Sequence, residues 1–177
     1  MPLKPALRPS WRPSALADLP DIDRIGDAIH VDLPERPEVF AEKVTLFPAG
    51  CFVFCQGSSV FGYGLAHPWM LLNIPPLGQF LQELPPAANC LFIHDVVVMP
   101  EARGRNAALS LVRLYRDVAT RHHLRHLALV AVYGTQTLWS RFGFEAVSDS
   151  RLTEKLSTYS GGGTAQYMTC ELGAVLP

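Results

Sequence analysis

Apolar residues recur three and four positions apart at Leu16, Leu19, Ile22, Ile25 and Ile29. This predicts an amphipathic helix over about 15–30, capped by Ser14. A second helix fits about 36–46, with Pro37 in its first turn. The period then changes: CFVFC reads as a strand, Gln56-Gly57-Ser58-Ser59 as a turn and VFGYGLAHP as the returning partner. Residues 68–89 hold too many prolines for one regular element and are expected to form an inserted loop with one short helix. CLFIHDVVVM is the next strand, and Ala108, Leu111, Val112, Tyr115, Val118 and Ala119 form the buried stripe of a helix over about 104–122. HLALVAV, apolar throughout, predicts a strand buried on both faces. TQTLWSRF then reads as a short helix, FEAVS as a strand and AQYMTCEL as the last strand. Residues 1–13 look extended, and Gly161-Gly162-Gly163 reads as a mobile loop because it precedes a strand, where no phosphate cradle forms. The strand–helix–strand run in the middle implies a right-handed parallel crossover. The fold class is therefore α/β with a mixed sheet.

The length of 177 residues suits a single domain spanning 1–177. Fifteen basic against sixteen acidic residues leave a net charge of −1, so no global field recruits nucleic acid or an anionic membrane. The charges are unevenly placed. Eight acidic residues lie between Asp18 and Glu42, and six arginines with three histidines lie between Arg103 and His126. One part of the surface thus suits a cation and another an anion, although mixed solvated faces have the same composition. Cys51, Cys55, Cys90 and Cys170 lack metal-ligand spacing and read as buried thiols. His122 and His126 find no third ligand, so no metal is expected. MPLKPALRPSWRPS has no apolar core to serve as a secretory signal, and no apolar run nears the roughly 20 residues of a membrane span. A cytoplasmic location is the expectation.

The stretch HDVVVMPEARGRNAAL places a strand, a cationic turn and a helix start end to end. Helix N-terminal amides lack intrahelical partners and carry about +0.5 charge together. Gly104, Ala107 and Ala108 let an anion approach the backbone, and Arg103 and Arg105 add guanidinium forks. The junction reads as a seat for an anion such as a phosphate, although many helices start with a basic turn and bind nothing.

The order of these motifs resembles the Gcn5-related N-acetyltransferase superfamily. Val98-Met99-Pro100 followed by Arg103-Gly104-Arg105-Asn106-Ala107-Ala108 stands where that family has its strand ending in proline and its glycine-rich helix start. Leu138-Trp139 through Gly143-Phe144 stands at its last motif, and the HPW after the hairpin and the Met168 strand also look familiar. The resemblance spans about 14–172. It implies a mixed, mostly antiparallel central sheet with a parallel, splayed central strand pair and helices on both faces. It also implies acetyl-coenzyme A as the cofactor. Val96, Val97 and Val98 would hold the pantetheine arm through their backbone, with one amide of the strand freed by a bulge to polarise the thioester carbonyl. The amides of Arg103 through Ala108 would cradle the pyrophosphate, with Thr135 and Trp139 also on the coenzyme. Asn106 replaces the family's glycine, and asparagine tolerates the left-handed backbone better than other side chains.

The implied reaction is transfer of an acetyl group to an amine by direct attack on the thioester. An alkylammonium of pKa about 10.4 must lose its proton first. His94 is the expected base, since period-two alternation puts it on the face of Val96 and Val98. Arylalkylamine acetyltransferases carry a proton-relaying histidine at the corresponding place. A buried strand histidine bonded to a carbonyl is the alternative. Asp95 would face the other way and brace a loop, unless a bulge reverses the two roles. Trp139 replaces the tyrosine that many relatives use to protonate the departing thiolate, and indole cannot act as an acid. Tyr133 could supply that proton, or the thiolate could leave unaided. Trp69 and Met70, with Leu71, Leu72, Leu77 and Phe80, could line an acceptor pocket, pack as a satellite core or bury a homodimer contact. The acidic run over the first two helices hints at a cationic acceptor. The leading reading is an N-acetyltransferase acting on a small amine or amino-acid-like acceptor. Its rivals are a non-catalytic acyl-coenzyme A sensor and an assembly protein.

Overall fold

A computed structural model describes residues 9–104 and 106–173. The strands are β1 (Ser10–Pro13), β2 (Cys51–Gln56), β3 (Ser59–Trp69), β4 (Cys90–Val98), β5 (His126–Ala131), β6 (Glu145–Ala146) and β7 (Gln166–Glu171). The helices are α1 (Leu19–Ile29), α2 (Pro37–Leu46), α3 (Ala107–Arg121), α4 (Gln136–Ser140) and α5 (Thr153–Ser157). One seven-stranded sheet has the order β1-β2-β3-β4-β5-β7-β6. Among the described residues β4–β5 is the parallel pair and the other neighbours are antiparallel. The α/β mixed sheet expected from the sequence is the fold.

Two apolar layers cover the sheet. Leu111, Val112, Tyr115 and Val118 of α3 pack with Leu91, Ile93, Leu127, Leu129 and Met168 on one face. Ile22 and Ile25 of α1, with Phe40 and Val44 of α2, pack with Val53, Tyr63, Leu65 and Val97 on the other. The α3 stripe from Leu111 to Ala119 and the Ile22–Ile25 pair of α1 are the ones the 3.6-residue period predicts. Leu16, by contrast, stands in the 3-10 turn before α1 and is exposed, and Ala107 rather than Ala108 is the buried residue at the start of α3.

Five expectations change. Ser14 does not cap the first helix, because a 3-10 turn over Leu16–Asp18 intervenes and Asp18 stands at the N-cap of α1. Residues 10–13 of the extended N-terminal segment are a sheet edge, held because the Trp11 indole N–H donates to the Ala107 carbonyl at 2.8 Å; residues 1–8 lie outside the described residues. Pro68 and Trp69 finish β3, and 70–89 contains no helix. That segment is fastened by its amides: Gly78 donates to Glu35, and Leu81 and Gln82 to Glu42. Gly161 and Gly162 form a 3-10 turn packed against the loop after α1, because a backbone without side chains fits where a Cβ on Gly161 would stand 2.2 Å from the Asp32 carbonyl. Helix α5 had no sequence signal strong enough to separate it from a loop.

The feature that positions the site is a bulge in β4. Leu65 pairs with Asp95 and Ala66 with Ile93, so β3 advances one residue while β4 advances two. Leu91 and Ile93 face α3 before the bulge, and Val96 and Val98 face that side after it. His94 and Asp95 both turn to the α1–α2 face. This corrects the alternation argument, which holds only along an unbroken ladder.

Candidate active site

Strands β4 and β5 pair only from Cys90–Ile93 to His126–Leu129, and then diverge as β5 continues on β7. A cavity of about 760 Å³ opens where they part. Its two ends have different chemistry.

At one end lie Val96, Val97 and Val98 of β4, the turn before α3, and Thr135, Leu138, Trp139 and Arg141. Gly104 takes φ +78°, with no atom near the position of a Cβ, so its backbone is open to the cavity. Asn106, at the N-cap of α3, takes φ 57° and ψ 21°, the left-handed conformation expected of the residue that replaces glycine. Ala107 and Ala108 begin the helix and line the cavity. The Arg103 guanidinium is partly committed: its Nε donates to the Val98 carbonyl at 2.9 Å, folding the side chain back onto the strand end. Arg105 lies outside the described residues. The Thr135 hydroxyl donates to the Val132 carbonyl at 2.7 Å. Trp139 is buried against Phe142 and Phe144 and forms part of the wall.

At the other end stand two histidine–carboxylate pairs. His94 Nε2 lies 2.6 Å from Glu35 Oε1, with side-chain exposures of 1% and 5%. Burial opposes charge on Glu35, but His94, Lys43 and the Gly78 amide outweigh it and pull the carboxyl down to about 2. Asp95 Oδ1 lies 2.8 Å from His30 Nε2, and Oδ2 accepts the Tyr63 hydroxyl at 2.5 Å. Both pairs line the cavity, but the Asp95 and His30 side chains are 11% and 15% exposed, so this pair is the more accessible of the two. Burial works against a protonated His30, yet hydrogen bonding and attraction from Asp95, with Glu35 adding to it, raise its pKa. Tyr133 stacks on the His30 ring at 5.7 Å between centroids. Burial and the Asp32 and Asp95 carboxylates hold its phenol above the ordinary value.

The sequence reading missed His30, Glu35 and Tyr63, because partners 65, 59 and 32 positions away leave no local signature. It also missed Lys43, fully buried in α2, whose pKa is lowered by burial despite the pull of Glu35, Glu42, Cys51 and Asp95. Trp69 and Met70 do not line the cavity. Trp69 ends β3 and packs beside the His67 ring and the Phe92–Tyr167 cluster. Of their loop, Leu77 reaches the cavity. The acidic run mostly points elsewhere: Asp18 pairs with Arg12, Asp21 with Arg24, and Glu42 with loop amides, while Glu35 lines the cavity. His122 packs edge-on against Phe47.

The model of the acetyltransferase (GNAT) family matches residues 15–144. The chain belongs to that family. No curated protein matches the sequence. Solved structures similar to it include Ard1 from Thermoplasma volcanium, at 12% identity and a TM-score of 0.71, covering 93% of this chain and 98% of that one. The NatC complex bound to Gag peptide and CoA is similar at 16% identity and TM-score 0.71, covering 93% and 99%. N-acetylglutamate synthase from Neisseria gonorrhoeae, complexed with coenzyme A and N-acetyl-glutamate, is similar at 15% identity and TM-score 0.70 over 93% of this chain and 35% of that one. At these identities the likeness is one of fold. No helix among the described residues is long and apolar enough to cross a membrane.

Proposed function

We propose that this protein is an N-acetyltransferase that moves an acetyl group from acetyl-coenzyme A to the amine of a small acceptor. One observation carries the reading: a single cavity joins Gly104, Asn106, Ala107 and Ala108 at the start of α3 to the two histidine–carboxylate pairs. The residues at the first end fit the coenzyme. The left-handed Asn106 and the open Gly104 turn main-chain donors toward a diphosphate, and the β5-facing edge of Val96–Val98 is unpaired where an extended pantetheine arm needs partners. Acetyl-coenzyme A supplies a thioester carbonyl carbon open to a nitrogen nucleophile.

The chain's own groups handle the protons. The bulge reverses the roles of His94 and Asp95. Asp95, at the cavity surface and oriented by Tyr63 and His30, takes the ammonium. His30, bonded to it and partly exposed, carries the proton outward. His94, bonded to Glu35 and nearly inaccessible, braces the loop between α1 and α2. A main-chain N–H in Val96–Val97 polarises the thioester carbonyl. The Tyr133 phenol, kept protonated at neutral pH, returns a proton to the thiolate.

Calorimetry with acetyl-coenzyme A, followed by thiol release across a panel of amines, tests the reading. Binding plus amine-dependent release is the expected result. Binding without release for any amine leaves an acyl-coenzyme A sensor, and no binding removes the coenzyme from the account.

A further inference from the structure

The acceptor end of the cavity is walled by apolar side chains from four separate parts of the chain. Ile29 and Leu33 come from the end of α1 and the loop after it, Leu77 from the 70–89 segment, Val132 from beyond β5, and Tyr159 from beyond α5. The 160–162 turn bridges these walls. Gly162 accepts the Tyr133 amide at 2.7 Å. A Cβ on Gly162 would lie 2.8 Å from both Leu33 Cδ1 and Val132 Cβ, so bare main chain backs directly onto two wall residues. Gly161 closes as tightly on the Asp32 carbonyl. On the remaining side, Gly78 beside Leu77 is bonded to Glu35, and the Tyr159 hydroxyl donates to the Pro75 carbonyl at 3.2 Å.

The carboxylates at this end are already engaged. Glu35 and Asp95, the carboxylates lining the cavity among the described residues, each hold a histidine, and Lys43 adds a positive field behind them. One ammonium can join Asp95 as a third donor. A second cation finds no carboxylate left over, and a peptide meets the Leu33 and Val132 side chains, which the 160–162 turn backs.

We propose that this pocket takes a primary amine carried on a short hydrocarbon body, with Leu33 and Val132, held in place by the Gly161–Gly162 turn behind them, setting its maximum length. The assignment of the amine as the head group rests on the acetyl transfer proposed above. Burying each methylene along such walls strengthens binding about fourfold, from the roughly 0.8 kcal/mol per buried CH₂, until the chain meets Leu33 and Val132.

The test is calorimetry on the full chain in the presence of coenzyme A, titrating butylamine, hexylamine, octylamine and dodecylamine, then 1,6-diaminohexane and a short peptide with a free N-terminus. Affinity should rise about fourfold per methylene and then stop or fall within the series. The diamine should bind at least tenfold more weakly than hexylamine. Leu33→Ala and Val132→Ala should each move the cut-off to longer amines, and Gly162→Ala to shorter ones. If Gly162→Ala does not fold, the two enlarging variants decide. Tighter binding of the diamine, peptide binding equal to hexylamine, or a cut-off that none of the variants moves overturns the proposal. Amines that bind in the expected order without releasing thiol leave the pocket assignment standing and remove the transfer reaction.

Discussion

His94 and Asp95, adjacent in the chain, present their side chains to the same face of the sheet, because β4 bulges between them and β3 does not. Each then meets a partner from the α1–α2 region, Glu35 for His94 and His30 for Asp95. Their exposures differ, and substitution tests the separate roles proposed for them. His94→Ala leaves the nearly inaccessible Glu35 carboxylate without its partner, which should cost about 3 kcal/mol in urea denaturation. Asp95→Asn should cost less stability and lower kcat/KM by about 10²-fold or more. A stable His94→Ala variant that has lost turnover would return the proton-accepting role to His94.

The pH dependence of stability has two arms. Glu35 has its folded pKa depressed to about 2 from an ordinary 4.5, so its contribution is complete above about 4.5 and is lost as pH falls toward 2. His30 has its folded pKa raised, so its contribution is complete below the ordinary value of 6.5 and is lost as pH rises through the folded value. Denaturation midpoints measured across pH should show both slopes. Glu35→Gln should flatten the acid arm, and His30→Gln the arm above 6.5. Unchanged slopes in either variant would detach that residue from its pair.

Asn106 holds a positive φ that glycine adopts freely and a β-branched residue does not. Asn106→Gly should bind coenzyme A as well as the parent or better. Asn106→Val should lose roughly tenfold in affinity as the helix start shifts. Calorimetry with coenzyme A separates the two, and equal affinities would take the turn out of the phosphate seat.

Trp139 and Tyr133 both line the cavity, and in the proposed reaction Tyr133 alone supplies a proton. Trp139→Phe should keep most turnover, since indole offers no acidic proton. Tyr133→Phe should lower kcat by about 10²-fold with little change in coenzyme affinity. Single-turnover thiol release measures this. Parity between Tyr133→Phe and parent would show that the thiolate departs without its help.

Gly161 distinguishes a packed turn from a mobile loop. A Cβ there meets the Asp32 carbonyl at 2.2 Å, so Gly161→Ala should destabilise the fold by about 1–3 kcal/mol. A thermal midpoint within error of the parent would mean that the turn does not clasp the loop after α1.

Much of this architecture was legible because local chemistry wrote it. The α3 stripe from Leu111 to Ala119, the Pro37 start of α2 and the two apolar central strands follow from periodicity, and the left-handed Asn106 from the identity of a single residue. The active-site face was not legible. Alternation along 91–98 is broken by a bulge that only pairing with β3 reveals, and it carried His94 and Asp95 to the side opposite Val96 and Val98. The partners His30, Glu35 and Tyr63 and the wall residues Leu33, Leu77 and Tyr159 come together through tertiary contact alone. Sequence thus determined what short-range sterics and burial periodicity control, namely the elements and the left-handed turn before α3. Tertiary structure decided which titratable groups meet and how deep the acceptor pocket runs, since both depend on strand register and on contacts between segments far apart in the chain.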